Sequence, residues 1–482
     1  MNWRSWRYKR FHVSFLLGWL AVGMLAGLVL GKLLPIAESW IWAAVGIVML
    51  PSIFRQRRWW TAAIILLAGM FIGWQRGSSE TMSLQTYAQW FDQTSVVSGV
   101  IMDDPQYGKY GDQQMRLGDI TVNGQPMDGS IFASTTSYLD IKRGDQIDFR
   151  GKLDEGFGSY AAVLRYAAIT TATDGSTPIR ELRDGFAAGV RNGVPEPEAS
   201  LGVGFVVGQR SALPDALDEQ LKVVGLTHIV VASGYNLTIL VRFARRSLAK
   251  HSRYLALVSS LGLVVAFVAF SGATPSMTRA AAVTILSLLA WFYGRRFHPL
   301  LLILFVAAGT GYINPSFVWG DLGWYLSFLA FFGVLILSPL IVARLYGERT
   351  PPAIAQMVIE TIAAELMTLP LILLAFERIP VFALLANVLV GPTIPFAMLA
   401  TTIAGVAGMI APTLAGLFAV PATIIVGYTV AVVETLSSVS WAQVTASISP
   451  VLLGGFYTFI VITITVWWQK MGHVFRPRSI VE

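Results

Sequence analysis

Apolar runs of about 20 residues, the length a helix needs to cross the hydrocarbon core of a bilayer, recur along most of this chain, and one polar insert interrupts them. They predict spans at 13–34, 39–54, 58–74, 224–242, 254–272, 276–293, 299–313, 320–343, 353–375, 392–411, 413–437 and 449–468, about twelve in all. The stretch from Pro380 to Ile410 is too long for one straight helix. It carries Asn387, Gly391, Pro392 and Pro395, so it is expected to be broken or re-entrant. Between Thr94 and Thr171 the hydrophobic period shortens. The runs SVVSGVIM, MRLGDITV, GSIFAS, QIDFRGKL and AAVLRYAAIT are separated by the turn signals Asp104-Pro105, Asn123-Gly124 and Asp128-Gly129. Five strands in about 80 residues suit a small β-barrel, an OB-like fold foremost. From Pro178 to Gly225 charges fall at helical spacing, which fits amphipathic helices on the membrane surface or a plain connector. The fold class is thus a polytopic α-helical membrane protein with an external OB-like β-barrel. Its parts are N-terminal transmembrane helices (1–75), the β domain (76–175), interfacial helices (176–223), a transmembrane channel domain (224–470) and a tail (471–482).

Composition strengthens the membrane assignment. Of 482 residues 55% are apolar and 13% charged, with mean hydropathy +0.61, whereas a soluble domain carries about 25% charged residues. Basic residues then orient the spans. With the N-terminus inside, the cytoplasmic segments hold 19 Lys and Arg, and the short external loops hold only Lys32 and Arg378. This asymmetry is the positive-inside rule. It places both termini in the cytoplasm of a bacterial inner membrane and residues 75–223 outside. The net charge of +7 reflects the same asymmetry and is no sign of nucleic acid. The first run is long and no small-x-small cleavage site precedes the next span, so it reads as a retained anchor.

Residues 75–175 hold 8 basic and 13 acidic side chains, against the basic groove of a single-strand binder. The aromatics Tyr107, Tyr110, Phe132, Tyr138, Phe149 and Tyr160 are core residues or stacking platforms. The chain has no cysteine and its five histidines are scattered, so no metal site and no cofactor is expected.

Polar groups inside spans are costly and usually face a partner or a water-filled cavity. In THIVVASGYNLTIL, residues 227–240, Ser233, Gly234, Tyr235 and Asn236 fall near mid-span, which suggests unwound backbone facing a cavity or close helix packing through small residues. His228 lies nearer the outer end, as a pathway residue or an interfacial histidine. In IETIAAELMTLPLILLAF, Thr361, Glu365 and Thr368 share one helical face, and Glu360 points about 140° away from Glu365. Glu365 is therefore a candidate lining residue, protonated or paired with a cation. A bare carboxylate would repel a phosphate backbone. Arg279, four residues after Pro275, contacts phosphate or snorkels to headgroups. Asp321 is placed to cap a helix.

The segment GFVVGQRSALPDALDEQLKVVGLTHIVVASGYNLTIL (204–240) resembles the signature of the ComEC competence family, roughly Gly-x-Ser-His, apolar residues, then Ser-Gly-x-His. Three blocks follow in the family's order. They are Pro-x-x-x-Arg-Ala (Pro275, Arg279, Ala280), Asp-x-Gly-x-x-Leu-Ser-Phe (Asp321, Gly323, Leu326, Ser327, Phe328), and Asn then Pro-x-x-Pro (Asn387, Pro392, Pro395). The N-terminal spans and insert are also similar to the family's N-terminal module, so the resemblance runs over 13–470. Asn236 stands where the family has its second signature histidine, and a role that needs an imidazole there does not carry over. The His-x-His-x-Asp-His motif of the metallo-β-lactamase-like domain found in many members is not in this sequence. A nuclease acting on the second strand would be another protein or lie outside this sequence. The disulfide of some members cannot form without cysteine.

The resemblance implies an inner-membrane channel that carries single-stranded transforming DNA into the cytoplasm. Its implied partners are an external DNA receptor and a cytoplasmic ATPase or DNA-binding proteins. On this reading Ser233, Tyr235, Asn236, Asn387 and the Glu365 face line the passage, and Arg279 admits phosphates. Tyr235, Trp324 and Tyr325 are candidates to stack bases. No Gly-x-x-x-x-Gly-Lys motif is present, so ATP use needs a partner and no enzyme activity is expected. Three other readings remain. A small-molecule or ion secondary transporter also uses broken helices. A membrane hydrolase is disfavoured, because Ser233 and His228 fall on different faces of a straight helix. A scaffold for other proteins would leave the mid-span polar groups unexplained.

Overall fold

The computed structural model describes residues 12–470 except 38–39, 52–58, 109–110, 138, 140, 210–212, 231–233, 273, 295–297 and 348. Ser233, Tyr110 and Tyr138 lie outside the described residues, as does the side chain of Tyr235. Among the described residues eight helices are long and apolar enough to cross a membrane: Val13–Leu33, Arg253–Ser271, Pro275–Phe292, Leu322–Tyr346, Ala353–Phe376, Ala383–Ile410, Pro412–Ser437 and Pro450–Trp467. Trp40–Met49, Glu198–Val207 and Pro299–Ile313 are shorter apolar helices. In the region of the expected span 224–242 the described residues form helices Thr227–Val230 and Gly234–Leu248. The chain forms two compact units, Met1–Ser176 with Leu301–Tyr325, and Thr177–Leu300 with Leu326–Glu482.

In the first unit, helices Val13–Leu33 and Trp59–Gln85 run parallel and meet backbone to backbone. Gly23 and Gly27 face Leu66 and Met70; Gly69, Gly73 and Gly77 face Leu20, Met24 and Leu28 in return. Spacing of four residues stacks the glycines on one helical face. Without side chains there, the helices approach closely and gain dispersion energy that lipid-facing leucines cannot supply. Trp40–Met49 crosses the same helix, with Trp42 packed on Phe71 and Trp74 at centroid distances of 5.2 and 5.7 Å. Trp59–Gln85 outruns its apolar part because Arg76 and Glu80 pair at 2.8 Å. Arg76 also donates to the carbonyls of Tyr312 and Ile313 at 3.0 and 3.1 Å, and so caps the negative end of Pro299–Ile313.

A barrel follows, built from β1 (Thr94–Ile101), β2 (Gln106–Tyr107), β3 (Gln113–Val122), β4 (Gln125–Met127), β5 (Ile131–Thr135), β6 (Gln146–Glu155), β7 (Ala162–Leu164) and β8 (Ala168–Thr173). The ring β1-β3-β5-β7-β6 closes through β1–β6, and within it only β5–β7 is parallel. Each of the five strand-patterned runs contributes, the fifth as β7 and β8. The turn residues Asn123 and Gly124 both have positive φ, 50° and 82°, as a tight hairpin connection requires. Alternate residues point inward, so Val97, Ile101, Leu117, Ile131, Ile147, Phe149, Leu153 and Leu164 form the core. Each such side chain stabilises the fold by about 1.5–3 kcal/mol when fully buried.

The second unit gathers helices Glu198–Val207, Asp215–Val224, Gly234–Leu248, Arg253–Ser271, Pro275–Phe292, Ile394–Ile410 and Ala415–Ser437 around one core, which includes Leu201, Phe205, Leu221, Leu237, Leu257, Leu288, Ile394 and Val426. The Pro380–Ile410 segment is broken by a 3-10 turn at Gly391–Thr393, after which the chain continues as helix. Helix Pro178–Arg191, from the stretch read as surface helices or a connector, is seated directly on Ile394–Ile410. Gly189 approaches Gly405 and Met409, and Gly408 approaches Gly189, at backbone distances no Cβ would permit. Strands β9 (Arg378–Pro380) and β10 (Gln443–Thr445) pair and tie two helix connections together. In Leu322–Tyr346 a π turn spans Gly333–Leu337, where Gly333 lies against the Ala363 carbonyl.

Candidate functional site

Helix Asp215–Val224 leads into the signature segment. It buries Leu217, Leu221 and Val224, and on its polar side Lys222 lies 2.9 Å from Asp218 and 3.2 Å from Glu219. Burial pulls the Lys222 ammonium down, but the two carboxylates together hold it above the usual lysine range. Gly225 stops the helix in the left-handed region at φ 80°. A Cβ there would meet Ala383 and Pro380 at 2.9 and 3.0 Å, so the turn sits tightly against the start of helix Ala383–Val390. That contact brings His228 to Asn387.

His228 is hydrogen-bonded to the backbone of Gly225 and to the Asn387 side chain. Asn387 Nδ2 in turn donates to Glu365 Oε1 at 3.4 Å, a long hydrogen bond. With its NH₂ turned to Glu365, the amide has its oxygen left to accept from the imidazole. Three residues singled out in sequence, from three separate helices, thus form one polar chain. Glu365 and Asn387 are half-buried. His228 keeps exposed surface. The neighbouring hydroxyls are otherwise engaged: Thr361 and Thr368 donate to the carbonyls of Met357 and Ala364 in their own helix. Glu360, on another face, accepts from Gln356 at 2.5 Å. One turn beyond Glu365, Pro370 cannot donate to the Leu366 carbonyl, which loosens the helix beside the chain.

The other sequence candidates take different places. Asn236 is fully buried and donates to the Phe205 carbonyl at 3.1 Å. It ties two helices together. Gly234 lies against Ala280, where a Cβ would come within 2.8 Å. Pro275 opens its helix behind the Thr274 cap. Arg279 is 1% exposed and does not snorkel. Pro392 is exposed in the 3-10 turn; Pro395 and Ser327 are half-buried in their helices. In the first unit Asp321 accepts from the Trp324 amide at 2.5 Å as a helix cap, and from the Ser159 hydroxyl of the barrel at 3.1 Å. Trp324 is buried with its indole on Thr310, and the Tyr325 hydroxyl donates to the Val318 carbonyl. The Trp324 ring is therefore not free to stack a base.

On the barrel, Phe149 is core, while Phe132, Phe157 and Tyr160 pack edge to edge at 5.4–5.5 Å. Arg116 lies over Tyr160 and Phe317 at 5.9 and 5.8 Å. Burial pushes the nearby Asp103 carboxyl above its ordinary range, with Arg116 opposing. Among the described residues no three His, Asp or Glu converge as a metal site.

A family model described as "Competence protein" matches residues 205–471, more than half of the chain. The chain belongs to the competence protein family. Searches of curated proteins and of solved structures gave no match. As a competence family protein it is a multi-pass, DNA-uptake-related membrane protein. The family match holds the whole His228–Asn387–Glu365 chain, and the barrel lies before it. Two features of this competence protein escaped sequence reasoning. The glycine seams had a signal, since Gly23, Gly27 and Gly31, and Gly185, Gly189 and Gly193, recur every four residues. The β9–β10 pair had none, because three-residue strands carry no usable period.

Proposed function

We propose that this protein is the inner-membrane conduit through which one strand of transforming DNA reaches the cytoplasm. The observation that carries this reading is the polar chain His228–Asn387–Glu365, drawn from three of the family-matched helices and not fully buried. A membrane bundle tolerates such a chain where it faces water or a passing polar ligand. In this reading about twelve spans cross the bilayer, both termini are cytoplasmic, and the OB-like barrel stands outside. The basic asymmetry of the loops supports that orientation. The parallel pair Val13–Leu33 and Trp59–Gln85 agrees with it, because a third span runs in the same direction as the first. An external receptor would present the DNA, and a cytoplasmic ATPase or strand-binding protein would draw it in.

The test is uptake of labelled double-stranded DNA by cells with the wild-type gene, a deletion, or Asn387→Leu, with membrane levels measured in each. The expected result is DNA held outside but not inside in the deletion, and a loss of at least about tenfold in Asn387→Leu at normal abundance, given one severed link in a low-dielectric site. Normal uptake in the deletion would overturn the conduit and favour a small-molecule transporter.

A further inference from the structure

The sequence has no acidic residue between Glu219 and Asp321. Helices Gly234–Leu248, Arg253–Ser271 and Pro275–Phe292 therefore carry no carboxylate of their own, and their cations gather at one end. Near the starts of the first and third helices Gly234 lies against Ala280. Near their ends the Arg245 guanidinium lies over the Trp291 ring at 5.3 Å. These two helices thus run parallel, and the second runs back after the short turn at 249–252. At the end so formed Arg245 is buried, whereas Arg242, Arg246, Lys250 and Arg253 are exposed. We infer that this end binds the phosphate headgroup of an anionic phospholipid, with Arg246, Lys250 and Arg253 as its principal cations.

Two observations choose the occupant. Four exposed cations on helices without a carboxylate call for an anion, and clusters of this size beside a membrane span suit anionic headgroups. The cluster also runs directly onto surface suited to acyl chains. Arg253–Ser271 is apolar and of membrane length, yet its Leu255, Val258 and Val265 are exposed, Val265 by 65%. Exposed apolar surface on such a helix faces lipid. Tyr254, 68% exposed, stands between Arg253 and that surface, the headgroup level at which tyrosine is enriched. Phe243, 71% exposed between Arg242 and Arg246, adds an apolar contact beside the charges. A nucleic-acid strand would instead need a basic groove with stacking platforms set apart from the acyl chains. The site concerns the bilayer and not the passing strand, so it goes beyond the conduit reading. A bound headgroup would neutralise neighbouring cations and brace the helix in which the signature segment ends.

The test uses the full-length protein in a neutral detergent, titrated with phosphatidylglycerol or phosphatidylcholine, with bound lipid counted by native mass spectrometry. The wild type should prefer phosphatidylglycerol, and the preference should fall as ammonium acetate rises from about 0.1 to about 1 M, because exposed charges are then screened. The triple variant Arg246→Gln, Lys250→Gln, Arg253→Gln should lose at least about tenfold in affinity for phosphatidylglycerol, each cation near an anionic surface contributing about fivefold. Its binding of phosphatidylcholine should be unchanged. Arg246→Lys with Arg253→Lys should keep the preference, because a headgroup phosphate needs the charge and not the guanidinium fork. A triple variant with wild-type affinity for phosphatidylglycerol, or a wild-type preference that salt leaves unmoved, would overturn the inference. Binding of a fluorescent oligo(dT) that the triple change abolishes and phosphatidylglycerol does not displace would overturn it in favour of nucleic acid. None of these readouts depends on DNA uptake, so failure of the site and failure of the conduit reading are distinct.

Discussion

Replacement of Gly27 by alanine is the sharpest probe of how the first unit is held together. The added Cβ would lie 2.1 Å from the Met70 carbonyl oxygen, 2.6 Å from the Trp74 nitrogen and 2.9 Å from the Met70 carbonyl carbon. All three atoms are backbone and cannot rotate away, so the helices must separate by more than an ångström at that point. A gap of about 0.5–1 Å forfeits a quarter to a half of each contact's dispersion energy, itself about 0.1–0.2 kcal/mol per atom pair. Over a seam of glycines on both helices this sums to about 2–4 kcal/mol, in line with other overpacked sites. Alanine returns about 1 kcal/mol through helix propensity. The net expectation is a destabilisation of about 1–3 kcal/mol. Gly262 provides the control, because a Cβ added there would meet nothing within 4 Å. Gly262→Ala should be neutral or gain up to about 1 kcal/mol. Thermal unfolding of the detergent-purified protein, followed by tryptophan fluorescence, reports on Trp42 and Trp74 beside the seam. Equal transitions for Gly27→Ala and Gly262→Ala would refute the close-contact seam.

Arg76→Gln should destabilise the first unit by about 2–4 kcal/mol, since it removes an ion pair and charged bonds to two carbonyls while leaving Glu80 alone. Arg76→Lys should fall between, because an ammonium lacks the fork that reaches both carbonyls; a lysine variant as stable as wild type would discard the capping role. Asp103→Asn tests the barrel's electrostatics. Burial raises the folded-state pKa of Asp103, so the folded barrel binds this proton more tightly than the unfolded chain does. Stability from this group is then greatest below the unfolded value of about 3.9 and declines as pH rises through the folded value. Asparagine removes the decline. Hydrogen exchange in β1 and β3 should be slower in the variant at pH 7, and the difference should vanish near pH 4; a difference independent of pH would contradict the assignment.

Much of this architecture can be read from the chain because the two periods are clean. Among the described residues eight apolar helices are of membrane length, and the five alternating runs all entered the barrel, since each must bury one face. Pro178–Arg191 shows its charges in sequence, but its close seat through Gly189 on Gly405 and Gly408 is a tertiary contact. The site was legible residue by residue and not as a group. Spacing identified His228, Glu365 and Asn387 separately; only the turn at Gly225 and its contact with Ala383 bring them together, and that is a tertiary fact.

The polar residues of the family blocks separate into two physical classes, and accessibility after pairing is what divides them. Asn236 and Asp321 are each satisfied by fixed partners, Phe205 for the one and Trp324 with Ser159 for the other. Substituting such a group leaves its partner unsatisfied, and the penalty falls on stability. His228, Asn387 and Glu365 also satisfy one another, but His228 stays exposed and the other two only half-buried. A purely structural role would be served as well by a closed, apolar contact of equal volume. Polar groups that are paired and still open are better explained by something that moves past them. The same division accounts for asparagine at position 236: an amide fully buried against a carbonyl needs a neutral donor, and a site closed to water gives a titratable ring nothing to respond to.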